Sequence, residues 1–333
     1  MNILITGAAG YIGSHAAIKF FEEGHRLVLF DNFSNSRPEI LNKLKTICNN
    51  DLPFIKGDIR NYELLVDTLS QYNIEAVVHF AALKSVNESV HKPIEYYLNN
   101  VCGSISLLKA MQNLNIKSFI FSSSAAVYGN QGSFPFTEDL SCKVINPYAR
   151  TKLHVEEILR DLASSDNEWR IICLRYFNPA GAHSSGLIGE NPLHNSSNLF
   201  PSILDVAKKK KNSLDVYGSD YSTPDGTAIR DYIHIEDLVE GHLKALEYLG
   251  NNKGYDIINL GRGTGLSVLE IIKAFESATG KKIPFNISPR RKGDVPISYA
   301  DVTKAKKLLN WEAKLNEFVM CETSWKACLK SLD

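Results

Sequence analysis

A serine, a tyrosine and a lysine are the residues of this 333-residue chain best suited to chemistry. Tyr148 and Lys152 are one helical turn apart in segment 146–163, so their side chains share one helix face. A free tyrosine hydroxyl has a pKa of about 10 and is a poor base at neutral pH. A neighbouring ammonium would lower that pKa, so Tyr148 could accept a proton from an alcohol or a sugar hydroxyl.

The same pattern gives each residue a separate role in a hydride-transfer reaction. While Tyr148 takes the proton, hydride would leave the adjacent carbon for a nicotinamide cofactor. Lys152 would also anchor the nicotinamide ribose, and Ser124 would hydrogen-bond the reacting oxygen. A tyrosine and a lysine often share a helix face by chance, so this interpretation depends on signs of a dinucleotide site elsewhere.

A glycine-rich turn at the start of the chain supplies such a sign. The apolar segment 2–6 is followed by Gly7, Gly10 and Gly13 and then by a segment with helical periodicity. Gly7 would make the tight turn, Gly10 would let a pyrophosphate approach, and Gly13 would let the helix pack closely on the sheet. The helix N-terminus would attract the phosphates. The alternative is an ordinary glycine-rich turn, since the spacing is G-x-x-G-x-x-G rather than G-x-G-x-x-G.

The strand ends that follow predict the rest of a cofactor site. Asp31 closes the second apolar segment, 26–30, where a carboxylate favours NAD over NADP, although Arg37 points the other way. Asp58 lies near the end of a predicted strand over 54–59. Ligands bind beyond the carboxyl ends of such strands, so the end of the strand predicted over 76–82 and the following Lys84 are candidates. His79 lies inside that strand and is predicted to be packed.

Alternation of apolar strands with helical segments predicts an α/β fold with a doubly wound parallel sheet of the Rossmann type. Further strands are expected at 117–121 and 170–176, and further helices at 64–71, 93–114 and 146–163. From position 178 the chain becomes rich in Gly, Pro, Ser and Asn, which predicts a smaller mixed α/β C-terminal lobe. The predicted domains are 1–177, with a returning segment at about 229–260, and a substrate lobe of 178–228 and 261–333.

The amino-acid composition excludes several classes of binding partner from the expected ones. Lys plus Arg equals Asp plus Glu at 37 each, which argues against nucleic acid or an anionic membrane as a partner. The six cysteines form no C-x-x-C pair, which predicts a reducing compartment, no disulfides and no metal site. No signal peptide precedes the first strand and no apolar stretch has membrane-spanning length, so a cytoplasmic protein is expected.

These motifs carry a resemblance to known proteins over nearly the full length. The N-terminal half resembles the extended short-chain dehydrogenase/reductase superfamily, and the whole chain is similar to the family of UDP-glucose 4-epimerases. The matching stretches are 7–14, 31–32, 57–60, 79–84, 93–101, 121–129, 148–152, 174–182, 225–234 and 289–294.

The resemblance implies interconversion of UDP-glucose and UDP-galactose through a 4-keto sugar, with tightly bound NAD regenerated in each turnover. Tyr148 would remove the 4-hydroxyl proton. Besides the three glycines, the implied cofactor-binding residues are Tyr11, Ile12, Asp31, Asn32, Asn35, Ser36, Asp58, Ile59, Phe80, Ala81, Ala82, Lys84, Asn99, Ser124, Tyr148, Lys152 and Phe177. The implied UDP-sugar residues are Lys84, Ser124, Tyr148, Asn178, Asn198, Leu199, Tyr217, Arg230, Arg291 and Asp294.

Three positions depart from the family's usual pattern. Ala126 replaces a frequent threonine, with a modest effect expected, and Arg150 is expected to point away from Tyr148. Ser298 falls where members vary between a bulky tyrosine and a small residue beside the sugar C2 group. A small side chain there leaves room for an N-acetyl group, so UDP-N-acetylglucosamine and UDP-N-acetylgalactosamine are predicted as further substrates.

The same residues bear on other functions of this fold and on assembly. Related dehydratases carry Asp-Glu at the positions of Ala125 and Ala126, which have no proton to move. Another NAD-dependent nucleotide-sugar dehydrogenase or decarboxylase and a non-catalytic dinucleotide sensor stay as alternatives, although sensors tend to lose the tyrosine and lysine. The resemblance further suggests a homodimer through a four-helix bundle of segments 93–114 and 149–163.

Overall fold

The computed structural model describes residues 1–193, 198–291 and 293–331. The strands are β1 Asn2–Thr6, β2 Arg26–Asp31, β3 Phe54–Lys56, β4 Ala76–His79, β5 Ser118–Ser124, β6 Arg170–Tyr176, β7 Asn178–Ala180, β8 Leu214–Tyr217, β9 Ile229–His234, β10 Gly254–Leu260, β11 Gly265–Ser267, β12 Phe285–Ser288 and β13 Ile297–Ser298.

The α-helices are α1 Tyr11–Glu22, α2 Ile40–Cys48, α3 Tyr62–Gln71, α4 Val86–His91, α5 Pro93–Tyr96, α6 Gly103–Asn113, α7 Pro147–Ser165, α8 Leu199–Ala207, α9 Ile235–Asn251, α10 Val268–Thr279, α11 Thr303–Leu309 and α12 Glu317–Lys330. A π-helical segment, Tyr97–Cys102, joins α5 to α6, and a 3₁₀ turn, Ala125–Tyr128, follows β5. None of the helices described here is long and apolar enough to cross a membrane.

A seven-stranded parallel sheet forms the centre of the larger part, in the order β10-β6-β5-β4-β1-β2-β3. Alternate side chains of β1 fill two cores: Ile3 and Ile5 join one apolar cluster and Leu4 joins the other. Helices α1 and α9 cover the first face, and α3, α6 and α7 cover the second. Because strands buried on both faces must be apolar throughout, this sheet confirms the predicted doubly wound fold.

The smaller lobe is built from shorter strands. One sheet has the order β11-β9-β13, with β7 also paired to β9, and β12 pairs with β8. Helices α8, α10 and α12 enclose a separate apolar core that includes Phe200, Phe275 and Met320. Within the predicted returning segment 229–260, β9 belongs to this lobe's sheet, α9 packs on the larger part, and β10 pairs with β6. The domain bounds themselves stay a prediction.

Two predicted strands end earlier than the apolar runs indicated. β3 ends at Lys56 because the Asp58 carboxylate accepts the backbone N–H of Arg60 and turns the chain out of the sheet. β4 ends at His79: Phe80 N still donates to Thr6 O of β1, but by Leu83 the backbone is bonded to the side chain of Asn100 instead of a strand. Both departures create the loops at the carboxyl edge, where the candidate site lies.

The helix predicted over 93–114 is one helical run interrupted by a wide turn. Its ends agree with prediction, but 97–102 is π-helical. π-helical turns inside α-helices are frequent at functional sites. Here the turn contains Asn99 and Asn100, the latter buried among polar partners.

Candidate active site

The crevice lies where the strand order reverses, between β1 and β4 at the carboxyl edge of the large sheet. Strands on the two sides of this point lead their loops in opposite directions and leave a cleft, in which ligands of such folds bind. The glycine turn follows β1, the loop 80–84 follows β4, and Ser124 closes β5.

The glycine turn admits no side chain at two of its positions. Gly7 has φ of +69°, and a Cβ on it would lie 2.6 Å from the backbone nitrogen of Ala81. A Cβ on Gly13 would lie 2.2 Å from the carbonyl oxygen of Gly7. Gly10, the N-cap of α1, provides no side-chain cap, so the helix N-terminus is left open to an anion. This cradle fits the pyrophosphate of a dinucleotide.

Asp31 organises the adenosine end of the predicted cofactor site. Its buried carboxylate accepts hydrogen bonds from the backbone of Ala9 (3.0 Å) and Phe33 (2.8 Å) and from the Ser36 hydroxyl (3.1 Å). Burial raises the pKa of Asp31, and these bonds oppose the rise. Asp31 therefore joins the glycine turn to the turn that follows β2.

Asp58 lies against the same turn. It accepts from Asn32 Nδ2 at 3.2 Å and forms two bonds with the Arg60 side chain, which lower its pKa to about 2. Asn35 is exposed, while Ile59 is buried, with its Cδ1 2.6 Å from where a Cβ of Gly103 would lie. Asp31, Asn32 and Asp58 thus lie together; the contact of Ile59 with α6 shows a packing role beside its predicted one.

The loop after β4 is held by a residue that sequence reasoning passed over. Asn100 accepts from Leu83 N (2.8 Å) and donates to Leu83 O (3.0 Å) and Thr151 Oγ1 (3.1 Å). The predicted Asn99 donates to the Asn100 side-chain oxygen at 2.9 Å. Asn100 therefore ties the loop to α7, the helix that carries Tyr148. Two consecutive asparagines in an apolar helix were the available signal.

Glu190 is a second residue that the sequence did not single out. Its carboxylate lies 3.2 Å from Lys84 Nζ and 3.1 Å from Asn198 Nδ2, and its side chain is largely buried. It therefore connects a predicted cofactor residue with a predicted sugar residue across the crevice. Its run of neighbours, 186–192, contains no pattern that would have pointed to it.

The three predicted catalytic residues converge at the end of β5. Asn146 caps α7 by accepting from Ala149 N at 2.8 Å, and Tyr148 lies in the first turn of that helix. The Ser124 side chain lies near enough to the Tyr148 hydroxyl to influence its pKa. Lys152 Nζ donates to Ser122 O at 2.5 Å and lies 4.8 Å from the centre of the Phe121 ring. The structure thus brings together what the spacing predicted.

Burial acts oppositely on the two ionisable members. Burial raises the pKa of Tyr148, a rise that the Ser124 side chain opposes, and it lowers the pKa of Lys152 to about 7. Both shifts favour the neutral forms. A cationic nicotinamide ring beside them is what would favour the Tyr148 phenolate.

Residues predicted to bind a UDP-sugar gather on the lobe side of the crevice. The Arg291 guanidinium stacks 4.4 Å from the Tyr217 ring centre, and Arg291 Nε donates to Asp294 Oδ2 at 3.1 Å. Burial lowers the pKa of Arg230, while the Asp294 charge opposes this and the Arg291 charge adds to it. These charges are therefore near one another. Lys292, within the matching stretch 289–294, lies outside the described residues.

The other predicted residues lie on separate elements of the fold. Ser298 is the β13 partner of Arg230 in register, and Asn198 is the N-cap of α8, which starts at Leu199. Asn178 is exposed at the start of β7. Tyr11 donates its hydroxyl to Gly181 O at 2.6 Å, and Phe177 packs with Tyr128 and Phe136. Phe80 packs on His242, and His79 is held by Thr6 and Ser104, as a packed histidine should be.

Comparison with known proteins agrees with this geometry. The model of the NAD dependent epimerase/dehydratase family matches residues 3–261. The chain belongs to that family. A UDP-glucose 4-epimerase of Bacillus subtilis is 50% identical over 326 residues, 98% of this chain and 96% of the relative.

Two solved structures share the family fold over the full chain. A UDP-glucose 4-epimerase of Stenotrophomonas maltophila, with bound NAD and formylated UDP-arabinopyranose, has a TM-score of 0.98 and 44% identity, covering 100% of this chain and 99% of its own. The enzyme of Bifidobacterium longum, in complex with NAD+ and UDP, has a TM-score of 0.96 and 44% identity with the same coverage. Family membership makes NAD the cofactor, as Asp31 predicted.

Proposed function

We propose that the chain interconverts UDP-glucose and UDP-galactose by reversible epimerisation at C4, with NAD as a resident cofactor. The observation that carries the proposal is the meeting of Ser124, Tyr148 and Lys152 at the end of β5, on the same carboxyl edge of the sheet as the glycine turn after β1. Its relatives named UDP-glucose 4-epimerase supply the substrate class. Bound NAD would supply the hydride acceptor for the sugar C4 and the hydride donor for the opposite face of the 4-keto sugar.

Tyr148 is assigned the proton transfer. It would take the proton of the 4-hydroxyl as the C–H bond breaks and return it when the 4-keto sugar is reduced. Ser124, which lies near Tyr148, would hold the sugar oxygen in line. Lys152 would anchor the nicotinamide ribose and lower the tyrosine pKa, and its own burial keeps water from screening that charge.

The lobe residues are assigned to the UDP portion. Two guanidinium groups, Arg230 and Arg291, can bind diphosphate oxygens through their forked N–H donors. Tyr217, under Arg291, would lie beside the uracil-nucleotide end. Asp294 orients Arg291 through their 3.1 Å bond. The cofactor and sugar assignments of the other predicted residues stand with this proposal.

Ser298 supports a wider substrate range. It is a small, half-buried residue paired in register with Arg230, so it borders the proposed sugar site. We expect UDP-N-acetylglucosamine and UDP-N-acetylgalactosamine to be interconverted as well. A Ser298→Tyr variant should lose this activity selectively, and an unchanged ratio of N-acetylated to plain sugar turnover would contradict the idea.

The surface supports a homodimer. Val90, Ile94, Leu98 and Ile105 are between 44% and 69% exposed along α4, α5 and the helical run after it. Such an apolar stripe on a helical surface is typical of a protein interface. A second copy docking there would build the proposed four-helix bundle with α7. The free cysteines and the substrates further suggest a cytoplasmic enzyme of galactose metabolism.

Incubation with UDP-galactose and no added cofactor tests the function. We expect UDP-glucose on chromatography of the products, and NAD in the denatured protein. Tyr148→Phe should reduce product formation by about 10³-fold or more while NAD stays bound. Absence of UDP-glucose with the unaltered protein would refute the proposal. Loss of water from the sugar would instead indicate a dehydratase, although Ala125 and Ala126 oppose that outcome.

A further inference from the structure

A buried ion pair lies directly behind the proposed catalytic residues. Glu156, fully buried on α7, is one helical turn beyond Lys152 and two beyond Tyr148. Arg175 of β6 binds it with two bonds, Nε to Oε1 at 3.0 Å and Nη2 to Oε2 at 2.6 Å. The Ser123 hydroxyl donates to Oε1 at 2.5 Å.

A buried ion pair of this kind adds little net stability to a fold. Removing two charges from water costs several kcal/mol, and apolar residues of similar volume are often as stable. The elements that the pair joins are therefore informative. It connects β5, through the residue before Ser124, with α7, which carries Tyr148 and Lys152.

Arg175 extends the connection to the turn after Ser124. Its guanidinium lies 4.8 Å from the ring centre of Tyr128, whose hydroxyl donates to Asn259 Oδ1 at 2.7 Å. Tyr128 ends the 3₁₀ turn that Ser124 caps by accepting from Ala126 N. The ion pair thus contacts Ser123, which precedes Ser124, and Tyr128, which ends the turn after it. It joins both to α7, the helix that carries Glu156.

The Glu156 carboxylate also interacts electrostatically with the Lys152 ammonium. Burial lowers the pKa of Lys152, and the Glu156 carboxylate opposes that shift. The other ionisable groups packed around the pair are Cys142, Cys173, Tyr128, Tyr255, Arg160 and Glu138. The ionisable groups that act on Lys152 are Glu156 of α7 and Cys173 of β6, and Lys152 in turn lowers the pKa of His79 of β4. Because burial raises the pKa of the Cys173 thiol, Glu156 supplies the negative charge among them.

We propose that Glu156, oriented by Arg175, is a positioning residue: it fixes Ser124 against α7 and keeps Lys152 cationic beside Tyr148. This inference rests on the proposed function for its kinetic consequence. Its electrostatic consequence can be measured without turnover.

The first variant is Glu156→Gln, which keeps the size and the acceptor for Ser123 but removes the charge. We expect kcat for UDP-galactose to fall about 10- to 100-fold with KM within about 3-fold, because proton transfer and not binding is affected. Lys152 should lose its proton at lower pH, so the alkaline limb of kcat moves down by about one pH unit. Glu156→Asp, which keeps the charge, should restore the position of that limb.

A folding defect is separated by the double variant Glu156→Gln/Arg175→Met, which leaves no unpaired buried cation. NAD content and thermal melting report folding for each variant. Reduced kcat and a shifted limb in both charge-removed variants, at normal NAD content, support positioning. Unaltered kcat and pH profile in both, whatever the melting temperature, overturn it.

Lysine labelled with ¹³C at Cε gives a readout independent of activity. The Lys152 titration should move to lower pH by about one unit in Glu156→Gln, and an unmoved titration overturns the electrostatic role. If the unaltered protein produces no UDP-glucose, the proposed function fails while this titration still decides the role of Glu156.

Discussion

The two ligand-binding regions are held in different ways. On the cofactor side, the key groups are fixed by hydrogen bonds to the surrounding protein. Asp31 accepts three hydrogen bonds, Asn100 makes four, and Lys152 is buried against Ser122 O. On the lobe side, Arg291 and Asp294 lie in a loop, with side chains 42% and 27% exposed. A preformed cofactor site beside a more open sugar site suits a cofactor that stays and a substrate that exchanges.

A substitution in the glycine turn should disrupt the preformed cofactor site more than any other change proposed for this comparison. Gly13→Ala would place a Cβ 2.2 Å from Gly7 O, and both groups belong to backbone that cannot rotate away. We expect purified protein without bound NAD and a loss of at least about 3 kcal/mol of unfolding free energy. Cofactor content by absorbance and urea unfolding measure the two effects.

Gly250→Ala is the matched control, because nothing lies within 4 Å of a Cβ at that position in α9. Its unfolding free energy should be unchanged or raised by less than about 1 kcal/mol, since alanine favours a helix. Normal NAD content in Gly13→Ala would show that the turn is more adaptable than its geometry indicates.

Sequence reasoning succeeded where local pattern determines structure. Buried apolar strands predicted the large sheet, and the helical spacing of Tyr148 and Lys152 placed them on one face. Asn100 and Glu190 were missed because their partners are distant in sequence: Leu83 and Thr151 for the first, Lys84 for the second. The π-helical turn was missed because apolar spacing does not distinguish it from α-helix over six residues. The ligand contacts of the site residues stay predictions.

The buried histidines make the folding stability depend on pH, and most of them lie in the larger part. His15, His79 and His242 lie in the larger part and His234 in β9 of the lobe sheet, and burial lowers their pKa values to about 3, 3, 4 and 4. The unfolded chain would bind these protons near pH 6.5. Their stabilisation is therefore full above pH 6.5 and is lost as the pH falls toward 4.

Asp231 contributes to the pH dependence of stability with the opposite sign from the histidines. Burial raises its pKa to about 6, against backbone N–H donors from Arg262, Gly263 and Ala300, so it favours folding increasingly as the pH falls from 6 to its unfolded value near 4. Since the histidines outnumber it, lowering the pH from 7 to 5 should destabilise the protein by about 2 kcal/mol per histidine. Because three of the four lie in the larger part, NAD should be released as this occurs.

Urea unfolding and NAD retention at pH 7 and pH 5 check this expectation. His79→Gln should reduce the pH-dependent loss by about 2 kcal/mol, even if the variant is less stable at pH 7. Equal stability at the two pH values would show that the buried histidines titrate normally.

Adjacent arginines in the lobe offer the smallest and most local test. Arg291 pairs with Asp294 over Tyr217, whereas Arg290 pairs with Asp220 and lies 4.1 Å from the Tyr221 ring centre. Arg291→Ala should raise KM for UDP-galactose about 10-fold, the loss of one charged hydrogen bond to a phosphate, with NAD content unchanged. Arg290→Ala should change KM less than about 2-fold. Equal effects would mean that the loop presents a general positive field rather than one oriented guanidinium, and released NAD in Arg291→Ala would mean that the two regions are not independent.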